Sequence, residues 1–378
     1  MKFVVDADVL RKALAAPAHV AVDHLHLSVT DGTLSVTGDD TVVRVTERRP
    51  VHAAIDGDAY IGAALFHDLA KVMPPGPVTV EASGPLLELS GGDTDDTDEP
   101  VRAAVYAAAP SAISMPAEPP PPPPVGEVEM AAFNSAMAQV VPAAAAPHSE
   151  NPLLASVSVR ASRGSLVFAA TDLYRLHTTR SRLIDAGAWS HEALIPIDAV
   201  KLAASVFPDD DEPLVALNRE LFSMRTDATT ITSRLVQGQF PSWQAKIPHE
   251  RDRTATVALD AEALLAALSR VAPIARLGDK GVSVTAVPED RLIVVKARAD
   301  DTGESSASFR AHTVTGAAFT FFAPLRWLTD AVKCARCQRL NLYWVADRAP
   351  LLINGFGSDY QALVSPLRPT PPKKGPAQ

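Results

Sequence analysis

Only two cysteines occur in the 378 residues, Cys334 and Cys337 in the run KCARCQR. A C-x-x-C by itself is half of a zinc site, and no second pair of ligands follows at similar spacing. A redox pair ordinarily follows a strand and opens a helix; this pair closes a helical pattern and reads as ordinary thiols. No run of about 18 uncharged apolar residues exists, so no membrane-spanning helix is expected. The opening MKFVVDADVLRK reaches Asp6 before an apolar stretch can form. It does not read as a signal peptide, and cytoplasmic residence is the default expectation. The phosphate-cradling, dinucleotide, zinc-protease and serine-hydrolase signatures are also missing. The ten histidines are scattered, and His24 and His26 alternate on an expected strand, the pattern of a solvated face. The acidic run GGDTDDTDEP at 91–100 places Thr97 and Ala104 where a calcium loop starting at Asp93 needs glycine and glutamate, so it reads as a solvated hairpin loop. PDDDEP at 208–213 reads likewise. No metal, cofactor or catalytic constellation is expected, and the chain reads as a non-enzyme.

What is present is apolar bulk, acidity and repetition. Hydrophobic residues make up 47% of the chain, ample for packed cores, and the length suits two or three domains of about 100–200 residues. The net charge of −9 argues against a surface that is basic throughout, while leaving room for a local basic face. Arginine outnumbers lysine, and alanine and valine are abundant, as in proteins of GC-rich genomes. AEPPPPPPVG at 117–126 reads as an extended, semi-rigid spacer. HERDRT at 249–254 is a second polar break, and PTPPKKGPAQ at 369–378 reads as a disordered tail. The expected domains are therefore 1–116, 127–248 and 255–368.

These pieces repeat one another. Each opens with a strand and a short amphipathic helix, aligning Leu10, Ala13 and Leu14 in the first. The second aligns Met130, Phe133, Met137 and Val140, and the third Leu264, Leu265, Leu268 and Val271. Each continues with a polar turn and an alternating strand: DGTLSVTGDD, RGSLVFAATD and EDRLIVVKAR. Each then runs into a second helix, for which Leu65, Leu69 and Val72 mark the expected apolar face in the first piece. The expected fold class is α+β: three tandem copies of a two-helix, antiparallel-sheet domain. Such an array favours a curved assembly that head-to-tail contact can close.

Four segments carry a family resemblance. AATDLYRL at 169–176 resembles the A-T-D-x-x-R-L signature of bacterial sliding clamps, the β subunit of DNA polymerase III. RLVQGQFPSWQAKIP at 234–248 resembles their K/R-L-x-x-G-x-F-P-x-Y-x-x-x-x-P segment, and QALVSPLRP at 361–369 their C-terminus. FAPLRWLTDAV at 322–332 resembles F-N-P-x-Y-L-x-D-x-L with one extra residue. The segments stand in the family's order, and the resemblance spans residues 1–368. The first domain matches least: Ala16 passes quickly into PAHVAVDHLHLSV, without the family's L-P-V-L-x-G-x-L segment.

The resemblance implies half of a ring, completed by a second copy as a homodimer, that encircles duplex DNA without reading its sequence. It implies lumen cations at Arg11, Lys12, Lys71, Lys201, Arg270 and Lys333, with His148 of the HSEN loop beside them. The first helix of the second repeat supplies no basic residue. It implies that polymerase and clamp-loader subunits dock short linear motifs in an apolar pocket. The pocket positions are Leu154, Thr171, Leu173, Tyr174, Arg175, Leu176, Pro241, Lys246, Ile247, Trp327, Leu363, Ser365, Pro366, Leu367 and Arg368. Lys246 stands where clamps usually have an apolar residue, Ser365 where methionine is usual, and Trp327 where tyrosine is usual. Tyr106 and Ile274 align with the family's dimer contacts. Cyclic peptide antibiotics target this pocket in the family. One alternative is therefore a divergent actinobacterial paralog with an altered pocket, giving self-resistance to such antibiotics. Another is a peptide-binding scaffold that does not bind DNA.

Overall fold

The computed structural model describes residues 1–92, 101–108, 113, 115, 119–147, 149–162, 164–184, 192–278, 281–300 and 302–367. The acidic 93–100 stretch and the 369–378 tail lie outside the described residues. Within them the sequence repeat becomes a structural one. Strand, helix, several strands, helix and three strands recur three times. The helices are α1 (Ala7–Val20), α2 (Ala63–Val72), α3 (Met130–Val140), α4 (Ile197–Val206), α5 (Ala261–Ala275) and α6 (Leu325–Cys334). The strand pairings described are antiparallel, as an α+β domain with local hairpins requires. At the first hairpin Asp31 and Gly32 both take positive φ, 50° and 72°, the geometry of a two-residue turn matched to strand twist.

The chain forms two compact units whose borders do not follow the repeats. One comprises Met1–Ala131 and Leu183–Leu235, the other Ala132–Arg182 and Val236–Gln378. The first unit carries a 13-stranded sheet. Strand Thr229–Arg234 of the central repeat pairs there with Val43–Pro50 of the first, Ile231 opposite Val45. Side chains tie the same seam: Arg48 donates to Thr230 Oγ1 at 3.0 Å, and Thr229 Oγ1 to Glu47 at 2.9 Å. In the second unit, strand Arg175–Arg182 of the central repeat pairs with Gln361–Val364 of the third. The expected spacer at 117–126 is partly ordered here, because Pro124–Glu127 is a strand paired with Leu214–Leu217. Proline is tolerated at its first position, where the missing N–H breaks no interior ladder.

Helix α1 buries Leu10, Ala13 and Leu14, the face expected from spacing, and continues beyond Ala16 through Pro17 to Val20. Asp6 caps it by accepting from the Asp8 amide at 2.8 Å. Its last turn lies so close to strand Thr33–Asp39 that a Cβ at Gly38 would stand 1.9 Å from the Pro17 carbonyl oxygen. In α2 the expected face holds at one position, where Leu69 is partly buried against the core of the first unit. Phe66, Ala63 and Ala70 are buried, whereas Leu65 and Val72 are 56% and 68% exposed. Apolar residues occupy both sides of this helix, so periodicity alone could not choose. In the second unit, Phe319 stacks on Trp344 and buried Tyr360 donates to the Ala331 carbonyl at 2.9 Å. Burying a side chain of that size contributes about 1.5–3 kcal/mol.

Candidate functional site

Strands Ser165–Thr171 and Arg175–Arg182 meet at a turn that the T-D-x-x-R sequence builds for itself. Asp172 Oδ1 accepts from the amides of Tyr174 and Arg175 at 3.0 and 2.9 Å. Thr171 Oγ1 accepts from the Leu173 amide and donates to the Arg175 carbonyl at 2.6 Å. Such local side-chain bonds stand in for ladder bonds in a tight turn. They hold Leu173 at φ 74°, a left-handed conformation that leucine rarely adopts. Leu173 and Tyr174 are thereby thrust outward, 62% and 61% exposed.

Arg175 points the other way and is buried. Its guanidinium bonds Asp172 at 3.0 Å and Asp330 of α6 at 2.6 Å. The Tyr174 ring stacks on Trp327 of the same helix, centroids 5.5 Å apart. Leu176 faces Leu363 across the strand pair. Tyr174, Arg175, Leu176 and Leu363, with Lys246 of the turn at Gln244–Lys246, line a cleft of about 340 Å³. Of the expected pocket residues, Thr171, Leu173, Tyr174, Arg175, Leu176, Pro241, Lys246, Leu363 and Ser365 line it.

Others do not. Leu154 is buried within the turn that leads into strand Ser156–Ser162, and Ile247 is half-buried and outside the cleft lining. Trp327 acts through its stack on Tyr174. Pro366 and Leu367 line a separate hollow with Phe319 and Phe322. Arg368 lies outside the described residues. The cleft also takes Ser242, Trp243 and Pro350, which sequence reasoning missed. Trp243 occupies the aromatic position of the F-P-x-Y segment, so a signal existed; Pro350 carried none. Behind the cleft, His177 is fully buried, its Nδ1 2.9 Å from the Gln139 carbonyl and its ring edge-on to Tyr360. Burial holds its pKa down, at about 4, despite that hydrogen bond.

The candidate cations all lie on helices, largely solvent-facing. Lys12, Lys71, Lys201, Arg270 and Lys333 are exposed. Arg11 is partly covered, bonding Asp8 and the Met73 carbonyl, and Lys71 pairs with Asp68 at 3.0 Å. His148 lies outside the described residues. The basic gap on α3 is partly filled from elsewhere: Arg336, just past α6, reaches Ser135 of α3 at 3.4 Å. Helices α1 and α4 flank a broad cleft lined by Lys12, His19 and Arg49, with Glu47, Asp211 and Asp227 also on its wall. Burial raises the Glu47 pKa, and Arg49 at 2.7 Å opposes that rise.

Tyr106 is 80% exposed on strand Val101–Ala108. That strand pairs with Leu86–Gly91 on one side and, at Ala107 and Ala108 alone among the described residues, with Gly57–Gly62. Ile274 is half-buried against the core of the second unit. Cys334 is buried at the end of α6, and burial pushes its thiol up to about 11; Cys337 is also raised by burial. Neither is an activated nucleophile. No helix among the described residues is long and apolar enough to cross a membrane.

Residues 127–242 match the family described as DNA polymerase III beta subunit, central domain. The Micrococcus luteus beta sliding clamp is 29% identical over 288 residues, covering 73% of this chain and 88% of that protein. The Escherichia coli K12 beta sliding clamp is 23% identical over 383 residues, covering 97% and 100%. Among solved structures, the Bacillus subtilis polymerase sliding clamp superposes with a TM-score of 0.89 at 18% identity, covering 98% of this chain and all of that one. A Pseudomonas aeruginosa sliding clamp bound to griselimycin gives 0.87 at 19% identity, covering 97% and 99%.

Proposed function

We propose that this chain, a divergent member of the bacterial sliding clamp family, works as a non-catalytic DNA sliding clamp. Two copies join head to tail around duplex DNA. Polymerase and other replication proteins dock short linear segments in the cleft between Leu176 and the Gln244–Lys246 turn. The observation that carries this reading is the cleft itself. Thr171, Arg175, Leu176, Pro241 and Leu363 come from three separate signature segments and converge on one hollow. The helix-borne cations Lys12, Lys201, Arg270 and Lys333 supply sequence-independent attraction to phosphates, while the net charge of −9 keeps the rest of the surface acidic. The outer edge of Val101–Tyr106 and the edge of strand Gly303–Arg310 that is unpaired among the described residues suit a strand-to-strand seam between copies, with Tyr106 and Ile274 beside it.

The comparisons favour this reading over an auxiliary antibiotic-tolerant copy or a scaffold that ignores DNA. The test is topological. With a clamp-loader complex and ATP, the chain should stay on nicked circular DNA through gel filtration and be released when the circle is linearised. Equal loss from circular and linear DNA would overturn the reading.

A further inference from the structure

We infer that the cleft selects peptides in which an apolar anchor residue is followed by an aspartate or glutamate side chain. The inference rests on the peptide-docking reading above and names the ligand chemistry of the same site. Its floor is apolar, formed by Leu176, Leu363 and Pro241. One charged group of the lining stands apart from that floor. Lys246 is exposed at the end of the Gln244–Lys246 turn, and no described carboxylate pairs with it.

The other cation of the cleft is already occupied. Arg175 is held by Asp172 and Asp330, so its charge is matched from within the fold. Lys246 is the cation left for a ligand. A lysine on an apolar rim lays its methylene stem along the surface and keeps its ammonium at the edge. A peptide anchor fills the floor, and a carboxylate one residue further on meets the ammonium at the rim. A charge-assisted bond in a partly desolvated cleft is roughly twice as strong as a neutral one, which makes the preference for acid a selective one. A wholly apolar peptide would fill the same floor and leave the ammonium unanswered.

The experiment uses the full chain and fluorescent peptides with amidated C-termini, so that the side chain is the source of the carboxylate. Two peptides differ only in glutamate or glutamine after a leucine-phenylalanine anchor. The expected result is about tenfold tighter binding of the glutamate peptide at low salt, a preference that shrinks as salt rises. Lys246→Val should bring the two affinities together by weakening the glutamate peptide while the glutamine peptide holds or gains. Equal binding of both peptides to the wild-type chain would overturn the acid preference and leave peptide docking standing. Binding of neither peptide to the folded chain would overturn the docking reading and this inference with it. Preference for glutamate that persists unchanged in Lys246→Val would also overturn the assignment.

Discussion

The Arg175 guanidinium reaches the Asp330 carboxylate at 2.6 Å, joining a strand of the central repeat to the last helix of the third. The arginine is buried and Asp330 is partly so, which makes the pair more than a surface contact. Removing one partner of a buried pair leaves the other charge poorly compensated. Here Asp172 remains to share the load. Asp330→Asn should therefore lower stability by about 1–3 kcal/mol, visible as a lower denaturation midpoint. An unchanged midpoint would mean that Asp172 alone satisfies the guanidinium.

Leu176 is the floor residue most exposed to a test of docking. Leu176→Asp puts a carboxylate opposite Leu363 and should weaken an apolar clamp-motif peptide by more than about tenfold. Leu173→Asp, at an exposed position, should weaken it less and leave thermal unfolding unchanged. Equal affinity of wild type and Leu176→Asp would show that peptides dock elsewhere.

The seam between copies turns on Tyr106. Gel filtration at micromolar concentration should return twice the 40.0 kDa chain mass, and Tyr106→Arg should shift it toward the monomer without lowering the melting temperature. Elution of the wild type as a monomer would remove the preformed ring from the proposal.

His177 gives the protein an acid limit. Its native pKa of about 4 lies below the unfolded value of 6.5, so the unfolded chain takes up the proton first. Stability from keeping this ring neutral is complete above pH 6.5 and falls with pH toward 4, at up to about 1.4 kcal/mol per pH unit. His177→Asn retains a donor for the Gln139 carbonyl and cannot titrate. Its stability should lose less than the wild type's between pH 6.5 and 4, as denaturant melts at several pH values would report.

The sequence carried the repeat, both helices of each copy and most of the cleft, because those depend on local periodicity and short signatures. The T-D-x-x-R turn is legible for a physical reason: its threonine and aspartate bond amides within four residues of themselves. What stayed hidden depends on partners far away in the chain. The buried face of α2 runs through Ala63, Phe66 and Ala70, and of Leu65, Leu69 and Val72 only Leu69 packs against the core. Pro350 entered the cleft without any motif around it. Trp327 was assigned to the wall, yet it works one layer back by supporting Tyr174.

The division of the central repeat between two compact units bears on how such proteins can be recombined. A chimera cut at the repeat borders, near 127 and 248, would keep the middle sequence whole and replace the partners of two hydrogen-bonded seams, Thr229–Arg234 with Val43–Pro50 and Arg175–Arg182 with Gln361–Val364. A graft that instead exchanges Met1–Ala131 together with Leu183–Leu235 carries the first seam intact. The heritable module, in the sense of what can be exchanged between relatives without refitting a core, is therefore discontinuous in the gene.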